Sequence, residues 1–202
     1  MIFLKTTLLA IIVLLSGGEV VDGLKVGDQA IDFNLKNIDG KMVSLSGDKE
    51  AKGYILIFTC NTCPYSVMYE DRIIALHKKY AAKGYPVVAV QPNNAKRSPG
   101  DSYPKMQQRA KSKEVPFPYL IDETQEVTRT YGATNTPHTF VLNRQSDDSF
   151  KIEYIGAIDN NSRSAAQATK HYVQDAVDGL INGSEIKETS TKAIGCTIKW
   201  AS

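Results

Sequence analysis

The chain has 202 residues, enough for a domain with a sizeable core, and its 42% hydrophobic and 23% charged residues are those of an ordinary globular protein. The formal net charge is only +2, and no basic run is longer than Lys78-Lys79 or Lys111-Ser112-Lys113. Such short clusters are solvated helix faces, so no nucleic acid is expected as a partner.

The chain opens with Lys5, an apolar run from Leu8 to Leu15, and the small residues Ser16, Gly17 and Gly18. That is the layout of a secretory signal. The run is shorter than the roughly 20 residues of a spanning helix. Gly18 stands where a lipoprotein signal carries its cysteine, so lipidation is unsupported. Residues 1–22 are therefore expected to be a signal peptide, cleaved between Gly17 and Gly23, or else an N-terminal anchor. The protein is expected to be exported, to a periplasmic or other extracytoplasmic space, and membrane-bound only if this segment is retained.

After the signal, Ile31, Phe33 and Leu35 alternate with polar residues as a strand does, Asp39-Gly40 is a turn, and Val43-Ser44-Leu45 returns as a partner. Tyr54 to Phe58 predicts a buried strand, Tyr65 to Lys83 a helix ended by Gly84, and Val87 to Val90 a buried parallel strand. Pro92 to Pro104 is a polar loop containing Asp101. Helices are predicted at about Tyr103 to Lys113 and Thr124 to Tyr131, with a short strand at Phe117 to Ile121 between them. Thr139 to Leu142 and Ile152 to Ile155 form a hairpin across the Gln145–Ser149 turn, and Ser164 to Ile181 is a last helix. Strand–helix alternation followed by a hairpin implies an α/β domain with a central mixed sheet flanked by helices and an N-terminal hairpin extension. The domain is assigned to residues 25–184, with a C-terminal tail, residues 185–202, packing on it.

The stretch Cys60-Asn61-Thr62-Cys63-Pro64 sits where the strand gives way to the helix. Two cysteines at this spacing can close a small redox ring, and a sulfur at a helix mouth is stabilised as a thiolate by free N–H groups and the helix dipole. Cys60 is expected there, with Cys63 deeper in the first turn. A zinc site would need more ligands than Cys196 and three isolated histidines readily supply. An odd number of cysteines, three, leaves Cys196 over after one pair. It is either a buried inert thiol or a third redox thiol brought in by the tail.

The chain resembles the thioredoxin-fold superfamily, in its peroxiredoxin-like redoxin branch related to alkyl hydroperoxide reductase and thiol-specific antioxidant. The resemblance rests on Phe58-Thr59-Cys60-Asn61-Thr62-Cys63-Pro64-Tyr65, Phe117-Pro118-Tyr119-Leu120-Ile121-Asp122-Glu123, Tyr131-Gly132-Ala133, Thr136-Pro137 and Ile194-Gly195-Cys196-Thr197-Ile198-Lys199-Trp200. It implies a thioredoxin-like fold and thiol–disulfide exchange with Cys60 as the nucleophile and Cys63 as the resolving thiol. It implies a cis-proline at Pro137 that exposes the Thr136 backbone to an extended substrate. His138, if cationic, would favour a thiolate nearby. Trp200 would anchor the tail by burying its ring. No cofactor is required, because the sulfurs carry both electrons. The expected partners are protein or small-molecule disulfides and thiols, and a redox protein that recharges the pair.

Two other functions stay open. One is a thiol peroxidase acting through Cys63; against it, Leu56 and Cys60 stand where peroxiredoxins place the Pro and Thr of their peroxide site. The other is a metal-binding chaperone using Cys60, Cys63 and His138.

Overall fold

The structure is a computed structural model and describes residues 23–201. The expected signal segment, residues 1–22, lies outside them. Strand β1 (Leu35–Asn37) and strand β2 (Met42–Val43) form the N-terminal hairpin, and β3 (Gly53–Phe58) leads into helix α1 (Pro64–Tyr80). Then come β4 (Val87–Gln91), α2 (Tyr103–Ser112), β5 (Tyr119–Ile121), α3 (Glu126–Tyr131) and the short β6 (Asn135–Thr136). The hairpin β7 (His138–Arg144) and β8 (Phe150–Gly156), helix α4 (Tyr172–Asn182) and a two-residue strand β9 (Cys196–Thr197) complete the chain.

Seven strands form one mixed sheet in the order β2-β1-β5-β4-β3-β7-β8. The parallel centre, β3 with β4 and β4 with β5, is flanked by antiparallel β7–β8 on one side and β1–β2 on the other. All residues of β3 and β4 are buried, as expected of strands covered on both faces. Alternate residues serve opposite cores. Ile55, Ile57, Val87, Ala89 and Val141 pack with α1, α2 and α4. Tyr54, Leu56, Phe58, Val88, Val90 and Phe140 pack with Tyr131 of α3, with Ala30 and Phe33 of the N-terminal segment, and with Ile198 of the tail.

Helix α1 buries Ser66, Tyr69, Ile73, Leu76 and Tyr80, a stripe spaced by three or four residues. A 3-10 turn follows it, and Gly84 reverses the chain at φ +91°, a conformation that favours glycine.

Two expectations are corrected. The last helix begins at Tyr172 rather than Ser164. Side chains compete for its backbone before that point: Asn161 Oδ1 accepts the N–H groups of Arg163 and Ser164, and Asn160 Oδ1 those of Thr169 and Lys170. Ile31 does not belong to a strand and is half exposed; the hairpin register begins at Leu35, paired with Val43.

Candidate active site

Strand β3 delivers Cys60 at the C-terminal end of the parallel sheet, and the next three residues turn into α1. Pro64 is the first helical residue, a position that suits proline because its missing N–H has no helical partner there. Cys63, not Cys60, is therefore the N-cap residue, and Cys60 lies outside the helix mouth where the sequence analysis placed it.

Asp101 organises the loop between the cysteines. Its fully buried carboxylate accepts the backbone N–H groups of Asn61 at 2.8 Å and Thr62 at 3.0 Å, together with the Thr62 hydroxyl at 2.8 Å. It also accepts from Asn93 Nδ2 at 2.8 Å and Ser98 Oγ at 2.6 Å. Tyr119 donates to Asn61 Oδ1 at 3.1 Å, and Asn61 Nδ2 donates to Gly100 O at 3.0 Å. Asp101 was missed as a site residue, because nothing local in the loop shows which backbone it will hold. The loop N–H groups it takes are no longer free to stabilise Cys60 as a thiolate.

The cis-proline falls where the resemblance implies: the Thr136–Pro137 peptide is cis. Thr136 faces both sulfurs. Its Oγ1 lies 3.2 Å from Cys60 Sγ, and its carbonyl oxygen lies 3.1 Å from Cys63 Sγ, an acceptor for that sulfur only while it is protonated. The Thr136 backbone, however, is not open to a substrate. β9 pairs antiparallel with β6 in the register Asn135↔Thr197 and Thr136↔Cys196. The chain's own tail occupies that edge and brings Cys196 N–H to 3.3 Å from Cys63 Sγ. All three cysteines are free thiols, Cys60 and Cys63 buried and Cys196 half-buried.

The cysteines differ in charge preference. Hydrogen bonding from the Cys60 side chain holds Cys63 well below the ordinary thiol range. The Cys196 thiol and the N–H groups of Ser66 and Cys196 act the same way, against the opposing effect of burial. Cys60 is pushed up by the same hydrogen bond, by burial and by the charge of Asp101, with the Thr136 hydroxyl and the Cys63 N–H opposing. The asymmetry follows from position: the Cys60 and Cys196 thiols and the Ser66 and Cys196 N–H groups outnumber the one opposing acceptor, Thr136 O, round Cys63, and the Asp101 carboxylate sits on the side of Cys60. Cys196 is pushed up by burial and by its contact with Cys63.

His138 is buried on β7, opposite Phe58 and with its ring 4.9 Å from that of Phe140. Burial lowers its pKa to about 4, so it is a neutral ring and supplies no cation to the sulfurs. Its Nδ1 accepts from the Thr134 N–H at 3.4 Å. Among the described residues no group of three or more His, Cys, Asp or Glu is placed to hold a metal ion, the trio Cys60, Cys63 and His138 included. Trp200 is half-buried beneath the Arg129 guanidinium, 4.3 Å from the ring centroid.

A mixed sheet with a paired-cysteine loop at a strand-to-helix junction, facing a cis-proline, defines a redoxin of the thioredoxin-like fold. The chain belongs to the AhpC/TSA family, whose profile matches residues 26–147. It is similar to a thiol-disulfide oxidoreductase ResA of Bacillus thuringiensis subsp. konkukian, at 25% identity over 60% of this chain and 65% of that protein. The matched region thus spans slightly less than two thirds of that relative's length. Among solved structures, an uncharacterized conserved protein from Geobacillus kaustophilus matches with a TM-score of 0.81 at 34% identity, over 89% of this chain and 94% of that one. A putative thiol:disulfide interchange protein DsbE from Chlorobium tepidum matches with a TM-score of 0.54 at 26% identity, over 66% of this chain and 85% of that one.

Proposed function

We propose that this protein is a thiol–disulfide oxidoreductase that exchanges disulfides through Cys60 and Cys63. The observation that carries the proposal is the placement of both sulfurs against Thr136, Cys60 Sγ 3.2 Å from its Oγ1 and Cys63 Sγ 3.1 Å from its carbonyl oxygen, just before the cis-proline Pro137. Similarity to proteins named as thiol-disulfide oxidoreductases supports the same chemistry. A thiolate attacks one sulfur of a substrate disulfide, a mixed disulfide forms, and the second thiol displaces the substrate as a thiol. Both electrons move from the cysteine pair to the substrate. In reverse, the pair oxidises a dithiol.

The donors round Cys63 lead us to assign it the first attack and Cys60 the resolving role, the opposite of the order implied by resemblance. The protein then meets disulfide or thiol substrates and a redox partner that resets the pair. The signal-like segment supports an exported protein. No helix among the described residues is long and apolar enough to cross a membrane.

The activity is tested by adding the reduced chain to oxidised glutathione and to insulin and following loss of substrate disulfide. Catalysis should fall by at least about a hundredfold in Cys63→Ser, which loses the attacking thiol, and should be slower than wild type in Cys60→Ser, which loses the resolving thiol of the pair. Equal rates in wild type and both variants would remove the proposal.

A further inference from the structure

The tail is fixed against the site at several points. Asn93 Oδ1 accepts the Lys199 N–H at 2.8 Å, Gln125 Oε1 accepts the Ala201 N–H at 2.7 Å, and Gln125 Nε2 donates to Lys199 O at 3.0 Å. The Ile198 N–H donates to Thr134 O at 3.2 Å, and the Ile198 side chain is buried in the core. Gly195 lies so close to the site that a Cβ there would meet Thr136 O at 2.1 Å and the Thr136 carbonyl carbon at 2.6 Å. Only a residue without a side chain permits that approach. The result is an extended segment paired with the backbone before the cis-proline, with a cysteine directly opposite Thr136.

We propose that Cys196 is a third catalytic thiol, held by β9 as an internal exchange partner of Cys63. The step rests on the activity assigned above to the Cys60/Cys63 pair. The Cys196 thiolate attacks Cys63 Sγ in the Cys60–Cys63 disulfide. The Cys63–Cys196 bond forms, the Cys60–Cys63 bond breaks, and Cys60 leaves as a thiolate that takes up the proton Cys196 gave. One disulfide replaces another, so no electrons are gained or lost and no further oxidant is needed. Burial of Cys60 and the charge of Asp101 favour its thiol form, which helps hold the product. The tail takes the edge that an extended substrate would otherwise use, so the Cys63–Cys196 form carries the disulfide while Cys60 is free.

The test is mass mapping of alkylated disulfide species in the full chain, oxidised with one equivalent of diamide, which takes two electrons from one dithiol. Wild type should contain both Cys60–Cys63 and Cys63–Cys196, the latter at about a tenth of the population or more. Cys60→Ser should close Cys63–Cys196 within the molecule. Gly195→Ala should lower the Cys63–Cys196 fraction by about fivefold or more and leave Cys60–Cys63 in place, because the added Cβ pushes β9 off Thr136. Should that variant fail to fold, Cys60→Ser still decides. Absence of Cys63–Cys196 from either wild type or Cys60→Ser, with Cys60–Cys63 present in wild type, overturns the inference alone. Absence of Cys60–Cys63 from both wild type and Cys196→Ser removes the underlying activity as well.

Discussion

Cys63 and Cys60 sit three residues apart, yet their neighbours pull their protonation in opposite directions. The helix begins at Pro64, so Cys63 takes the capping position, and Asp101 consumes the N–H groups that would have served Cys60. Alkylation against pH should therefore show Cys63, in Cys60→Ser, reacting at lower pH than Cys60 does in Cys63→Ser. The reverse order would restore Cys60 as the attacking thiol. Asp101→Asn removes a buried charge and leaves several donors poorly matched. It should cost about 2–3 kcal/mol in denaturant unfolding and move Cys60 alkylation to lower pH. His138 gives a separate signature. It is neutral in the folded protein down to about pH 4, whereas in the unfolded chain it takes a proton near pH 6.5. Above that value both states are neutral and the residue contributes no pH dependence. As pH falls from about 6.5 to about 4 only the unfolded state gains the proton, so stability drops by about 3 kcal/mol, and below that window the loss stops. His77 is also lowered by burial and acts in the same direction. The His138 share is isolated by comparing urea unfolding of wild type and His138→Gln at pH 7 and pH 4.5, where the variant should show the smaller drop. That Cys60 and Cys63 come together at one site was legible in their spacing. The neutrality of His138 was not, because its burial follows from the pairing of β7 with β3, a strand far away in sequence.

The elements that build the site differ in how openly the sequence announces them. β3 and β4 are continuous apolar runs, and the stripe on α1 keeps its period over four turns, so these were predictable from pattern alone. β9 is two residues long, alternates with nothing, and exists because β6 offers it an edge. The late start of α4 is equally tertiary: Asn160 and Asn161 capture the backbone ahead of it. The tail's hold depends on Trp200 under Arg129 as well as on hydrogen bonds. Trp200→Ala should cost about 1–2 kcal/mol of local stability. Amide exchange would show it as faster exchange at Cys196 and Ile198 with no change at Leu56 in β3. Unchanged protection at Ile198 would mean that the hydrogen bonds alone hold the tail.

For the whole molecule, the α/β class, the mixed sheet, the hairpin extension and the paired cysteines follow from alternation and spacing. The contacts that decide how the cysteines behave join residues 40 to more than 130 positions apart, from Asp101 to Asn61 and from Cys196 to Cys63. No local pattern encodes them. The sequence expectation against peroxide keeps its basis: the residues seven and three before Cys63 are Leu56, fully buried within β3, and Cys60, rather than a proline and a threonine. Hydrogen peroxide should oxidise the reduced protein slowly in stopped-flow measurements; rapid consumption lost in Cys63→Ser would favour a peroxidase. The most direct measurement is the redox titration of the Cys60–Cys63 pair, with disulfides mapped at each poise of a glutathione or dithiothreitol buffer. Disulfide exchange through this pair predicts that the Cys60–Cys63 disulfide forms and disappears reversibly in a two-electron transition, with a midpoint between roughly −270 and −120 mV. A protein in which no Cys60–Cys63 disulfide appears at any poise would contradict it.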